Sequence, residues 1–271
     1  SRITKTFKEL QAKEQKAFIP FLMAGDPNME ITRQLVYEAE KRGADIIELG
    51  LPYSTPLADG PTIKKAGKRS LEHNTNLDDI FELVAEIRAE SEIPLVLMGY
   101  YNLVFKYGVE EFVRQCEKVG VDGTIIPDLP IGEDQELRDL AEKLAIISLV
   151  TTTSKSERVK EVAQKSQGFI YAVSTPGTTG ARTEISNEIE AKVSELRELT
   201  ETPIAVGFGI SKPEHVKTVT SFADGAIVGS AIIRQIEENL GQPESIVTEV
   251  GDFIEYKTIS CQTFFCTLSI K

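Results

Sequence analysis

The stretch Asp45-Ile-Ile-Glu-Leu49 is apolar at successive positions rather than alternate ones, and a strand written this way has both faces covered. Runs of the same kind recur at Phe18–Met23, Pro94–Met98, Gly123–Ile126, Ile146–Val150, Phe169–Val173, Ile204–Val206 and Gly225–Val228. Between them lie amphipathic, helix-like segments at Met29–Arg42, Asn76–Ala89, Val109–Val119, Asp134–Leu144, Ser156–Ser166, Glu188–Leu199 and Lys212–Val219. The order is βα repeated eight times. Units of this number close into a barrel, whereas open doubly wound sheets more often stop at about five to seven strands. The expected fold is therefore α/β, a single (β/α)8 TIM barrel.

Arg2–Glu14 precedes the first strand and carries Ile3, Phe7 and Leu10 on one helical stripe. Two readings fit this extra N-terminal helix: a plug for the bottom of the barrel, or a frayed arm. No low-complexity linker divides the chain, so one barrel domain is expected over 1–256. The tail 257–271, with Cys261, Phe264, Phe265 and Cys266, is β-prone and weakly charged, and is expected to be disordered or opportunistically packed rather than a closing helix.

The 271 residues are 41% hydrophobic and 27% charged, enough for one large core. An excess of 42 acidic over 30 basic residues gives a net charge of -12, which opposes non-specific attraction to nucleic acid or an anionic membrane. An anionic substrate would need a local trap of backbone N–H groups. No stretch approaches the ~20 apolar residues of a bilayer span, and the chain reads as soluble and unexported. Cys116, Cys261 and Cys266 share no ligand spacing with His73 and His215, so reduced thiols and no metal are expected.

In barrels the reactive groups sit at the C-terminal ends of the strands. Glu48 lies at such an end among Ile46, Ile47 and Leu49, where burial would raise its pKa and keep it a proton donor near neutrality. Its plainer alternative is a structural carboxylate paired with Lys or Arg. Asp59 follows in the stiff loop Pro52-Tyr-Ser-Thr-Pro-Leu-Ala-Asp-Gly-Pro61. A cap on the helix opened by Pro61 would be its ordinary role. Two carboxylates so placed could also reach opposite ends of a small substrate. A second signal comes from Gly207-Phe-Gly-Ile-Ser211 and Val228-Gly-Ser-Ala231, where glycines and the start of a short helix at Ser230-Ala-Ile-Ile-Arg234 suit a phosphate. Gly177-Thr-Thr-Gly180 adds a glycine-rich loop that could cover the site.

These residues, with Phe18-Ile-Pro-Phe-Leu-Met-Ala-Gly-Asp-Pro27, Ile47-Glu-Leu-Gly-Leu-Pro-Tyr-Ser54, Pro56-Leu-Ala-Asp-Gly-Pro61 and Ile125-Ile-Pro-Asp-Leu-Pro130, closely resemble the tryptophan synthase α-subunit family from about Phe7 to about Tyr256. The resemblance implies retro-aldol cleavage of indole-3-glycerol phosphate to indole and glyceraldehyde 3-phosphate. It implies no cofactor in this subunit, and as partner a pyridoxal-phosphate-dependent β subunit in an αββα assembly. On the family's pattern Glu48 is the general acid at the indole carbon, Asp59 answers the indole nitrogen, and Tyr171 is the active-site tyrosine. Phe21, Met98, Tyr100, Ile125, Leu149 and Phe208 fall on pocket positions, although each is equally at home in barrel core. Gly180, Gly209, Gly229 and Ser230 match the phosphate cradle, and Thr179 the lid threonine that meets Asp59. Leu57 would face the partner. The implied compartment is cytoplasm or plastid stroma.

Some positions depart from the family. Thr55 stands where Asp is usual, Thr175 where Arg is more common, Pro176 where other residues occur, Gly99 where Thr is usual, and Thr151-Thr-Thr153 where Ala-Pro-Thr is common. Two other functions compatible with the residues are a stand-alone lyase releasing free indole and a mainly regulatory barrel.

Overall fold

A computed structural model describes residues 1–173, 187–207, 209–210 and 212–262. The chain runs α1 (Arg2–Ala12), β1 (Ala17–Met23), α2 (Met29–Lys41), β2 (Ile47–Gly50), α3 (Pro61–Glu72), α4 (Leu77–Arg88), β3 (Leu95–Met98), α5 (Tyr101–Tyr107) and α6 (Val109–Val119). It continues through β4 (Gly123–Ile125), α7 (Gln135–Leu140), β5 (Ala145–Thr151), α8 (Ser156–Lys165), β6 (Ile170–Val173) and α9 (Asn187–Arg197). It closes with β7 (Ile204–Gly207), α10 (Pro213–Thr220), β8 (Gly225–Val228), α11 (Ser230–Glu238) and α12 (Pro243–Gln262).

Among the described residues the strands are all parallel and close into one barrel in chain order, β1 pairing with both β2 and β8. The barrel expectation holds. Strand alternation sends Ile46 and Glu48 inward while Ile47 and Leu49 pack under the helices, which explains why successive residues are apolar. The helix α1 is the plug. Ile3, Phe7 and Leu10 join the barrel-interior cluster, and the Phe7 ring lies 5.9 Å from that of Phe169. Arg2 latches this helix to buried Asp122 at 3.2 Å, which Arg88 holds from the other side at 2.7 Å.

Three elements differ from expectation. The helix predicted over Asp134–Leu144 stops at Leu140, because a single Glu117 carboxylate oxygen accepts the backbone N–H groups of Glu142, Lys143 and Leu144. Helix α5 was not anticipated from its aromatic-rich sequence. It is started by Tyr101 N–H donating to the Asp128 carboxylate at 2.8 Å and ended by Gly108 at φ 96°. Helix α12 carries on through 257–262, correcting the expectation that the non-helical tail begins at 257. Packing against α2 overrides weak propensity there: Arg42 binds Asp252 and Glu255, and Thr258 is buried. Residues 263–271 lie outside the described residues. Among the described residues, no helix is long and apolar enough to cross a membrane.

Candidate active site

Glu48 is the second residue of β2, two before its C-terminal end, level with Phe21 of β1 and Val96 of β3. It is 1% exposed, and among the described residues neither carboxylate oxygen has a hydrogen-bond partner. The salt-bridge alternative is therefore not realised. A buried, unpaired carboxylate is costly, so the group holds its proton instead. Burial, with a smaller push from the Asp59 charge, raises it to about 8.

Asp59 does not cap α3. Gly60 occupies that position without a side-chain bond, and Pro61 supplies the fixed φ of the first turn. The Asp59 carboxylate is left to the site, where Tyr100 hydrogen-bonds it. Burial moves Asp59 above its ordinary range, while Tyr100 and the Lys64 charge act against that rise. The Tyr100 hydroxyl accepts the Ala58 N–H at 3.0 Å. Burial and the neighbouring Asp59 charge push this phenol up to about 12, so it stays a proton-bearing donor.

A small pocket is bounded by Phe21, Met98, Tyr100 and Asp59. Sequence reasoning missed Met23, Leu51, Ile63 and Gly99 on the same walls. Pro127, also on them, lies inside a motif singled out from the sequence. Met23 and Leu51 likewise fall inside quoted motifs, and Gly99 carried a signal as a departure from the family. A Cβ there would come within 2.7 Å of the Leu51 side chain, so the smaller residue and Leu51 fit as a pair. Ile125 is fully buried in the barrel interior, and Leu149 packs half-buried against the same cluster; neither borders this pocket.

Tyr171 on β6 is buried, and burial together with the charges of Glu48 and Asp59 raises its hydroxyl well above the usual phenol range. Its room comes from Gly207, where a Cβ would overlap the tyrosine ring and hydroxyl; Gly50 does the same for Phe21. Gly209 takes the left-handed φ of 76°, with no described residue within 4 Å of its missing side chain. Gly229 precedes Ser230 at the start of α11, with no side-chain cap on the helix, and its Cβ position lies 3.4 Å from Phe21. These residues follow adjacent strands, and Gly229 brings the start of α11, whose first N–H groups lack intrahelical acceptors, against Phe21 of the pocket wall. Thr179, Gly180 and Phe208, along with Thr175 and Pro176, lie outside the described residues.

Comparisons with known proteins agree on one family. The family model for the tryptophan synthase alpha chain matches residues 7–260. A tryptophan synthase alpha chain of Alkaliphilus metalliredigens is 47% identical over 257 residues, 94% of this chain and 96% of that one. The alpha chain structure from Legionella pneumophila superposes with a TM-score of 0.89 at 34% identity, covering 98% of each chain. A chain from the a2b2 complex of Pyrococcus furiosus gives 0.81 at 35% identity, covering 91% of this chain and 98% of that one. At this identity and coverage, this chain belongs to the tryptophan synthase alpha chain family.

Proposed function

We propose that Glu48 and Asp59 divide between them the reaction of this family, the cleavage of indole-3-glycerol phosphate to indole and glyceraldehyde 3-phosphate. The observation that carries this reading is the buried, hydrogen-bond-free Glu48 carboxyl, in register with Phe21 on the wall of a pocket that Asp59 also lines. Protonated Glu48 gives its proton to the indole carbon bearing the glycerol chain. Aromaticity is interrupted, and positive charge develops at the ring nitrogen, where the Asp59 carboxylate stabilises it. The Glu48 carboxylate then takes the proton of the hydroxyl on the adjacent chain carbon. A carbonyl forms there, the carbon–carbon bond breaks, and its electron pair restores the indole ring. Glu48 ends protonated, as it began. No cofactor takes part in this subunit.

The remaining assignments follow from position. Tyr171 faces both carboxylates, and Phe21, Met98 and Tyr100 supply apolar walls for the indole. Gly209, Gly229 and Ser230 offer backbone N–H groups to the phosphate, with Gly180 expected to join them. Thr179 and Phe208 are expected to complete the cover of the site, and Ile125 and Leu149 to back the pocket from within the barrel. The partner is a β subunit in an αββα assembly, which holds pyridoxal phosphate and receives the indole. Leu57 at 87% exposure, on the Asp59 loop, and Phe105 at 67%, on the neighbouring α5, are apolar groups suited to that contact. The compartment that fits is the cytoplasm or a plastid stroma.

Turnover of indole-3-glycerol phosphate by the isolated chain, with and without a β subunit, tests the reading. Large stimulation by the β subunit is expected. High unassisted activity would favour a stand-alone lyase, and activity absent under both conditions would leave a regulatory barrel.

A further inference from the structure

We propose that Tyr53 is a positioning residue for the lyase reaction, its ring holding Tyr100 in place against Asp59. Tyr53 and Asp59 lie in the same loop after β2, whereas Tyr100 stands at the start of α5, so the contact is between elements. The two rings stack with centroids 5.1 Å apart and an interplanar angle of 29°. Tyr53 is itself tethered, its hydroxyl accepting the Asn102 side-chain N–H at 3.1 Å from the first turn of α5. The Tyr100 hydroxyl takes the Ala58 N–H at 3.0 Å, which leaves its single proton for the Asp59 carboxylate.

Stacking fixes the plane and swing of the Tyr100 ring, and with them the point at which its hydroxyl meets Asp59. Without Tyr53, the hydroxyl is held only by the Ala58 and Asp59 groups of a loop that the same stack steadies. Three other groups act with Asp59 electrostatically: Lys64 from α3, Glu48 from β2 and Tyr171 from β6. None contacts Tyr53 in the ring stack, so Tyr53 acts on Asp59 through Tyr100.

The inference rests on Asp59 working at the indole nitrogen, and the test separates the two claims. The full chain and its variants Y53A, Y53L, Y53F, Y100F, Y53A/Y100F and D59N are assayed for kcat and KM across pH. For Y53A and Y53L, a kcat loss of about tenfold is expected, with KM changed by less than about threefold. The rising, acidic limb of the kcat/KM profile should also move to higher pH, because the hydrogen bond favouring the Asp59 carboxylate is weakened. Y53F keeps the ring and should stay within about threefold of wild type. In the Y100F background, Y53A should move the limb no further. An acidic limb unmoved in Y53L, or moved equally in the Y100F background, would overturn the positioning role even if D59N is inactive. D59N within about tenfold of wild type would instead remove the underlying assignment of Asp59.

Discussion

Glu48 holds a proton in the folded chain at pH values where an unfolded chain would release it. Its pKa rises from 4.5 to about 8, so between those values stability falls as pH rises. Glu48→Gln removes that dependence. From pH 5 to 9, the melting temperature of the variant should decline less than that of wild type, a difference on the order of a few kcal/mol at the alkaline end. Parallel declines would place the pH dependence elsewhere. The same shift predicts a rate that falls through about pH 8 as the acid is lost, and rises on the acidic side as Asp59 ionises above its ordinary 3.8. A flat kcat/KM profile between pH 6 and 9 would rule out Glu48 as the acid. Glu48 was legible in the sequence because an acid inside an apolar run has few ordinary explanations. The Tyr100 bond to Asp59 was not, because it depends on how β3 and the loop after β2 meet in space.

The strand pattern was legible because covered parallel strands leave unbroken apolar runs, and the observed strands lie within two residues of those expected. Helix ends were harder to read, since side chains distant in sequence set them. Glu117 stops α7, Asp128 starts α5, and packing on α2 carries α12 past 257. The elements also separate stability from chemistry. Phe7→Ala empties part of the plug at the bottom of the barrel and should cost about 3–5 kcal/mol of stability. With the site at the opposite end, its kcat should stay close to wild type at a temperature where it is folded; a large kcat loss would contradict that separation. Gly207→Ala acts at the catalytic end, displacing Tyr171. Its kcat/KM for indole-3-glycerol phosphate should fall by about tenfold or more, and an unchanged value would mean that Tyr171 is free to shift.

At the scale of the whole molecule, the barrel brings a proton-bearing acid, an opposing carboxylate and a phosphate-suited helix start to one end, and leaves Leu57 and Phe105 exposed nearby. Thr55, exposed in the same loop, gives this chain no charge where the family usually has one. Thr55→Asp should raise stimulation by the β subunit by a factor of about two to five, the scale of one exposed ion pair, with basal turnover unchanged. Equal stimulation of both forms would show that no charged contact was missing. The acid role of Glu48 is the claim on which the rest depends, and single-turnover cleavage of indole-3-glycerol phosphate by wild type and Glu48→Gln at pH 7, both saturated with β subunit, tests it most directly. A loss of about a hundredfold or more in the cleavage rate is predicted, the usual contribution of a positioned general acid; a Glu48→Gln rate within about tenfold of wild type would contradict it.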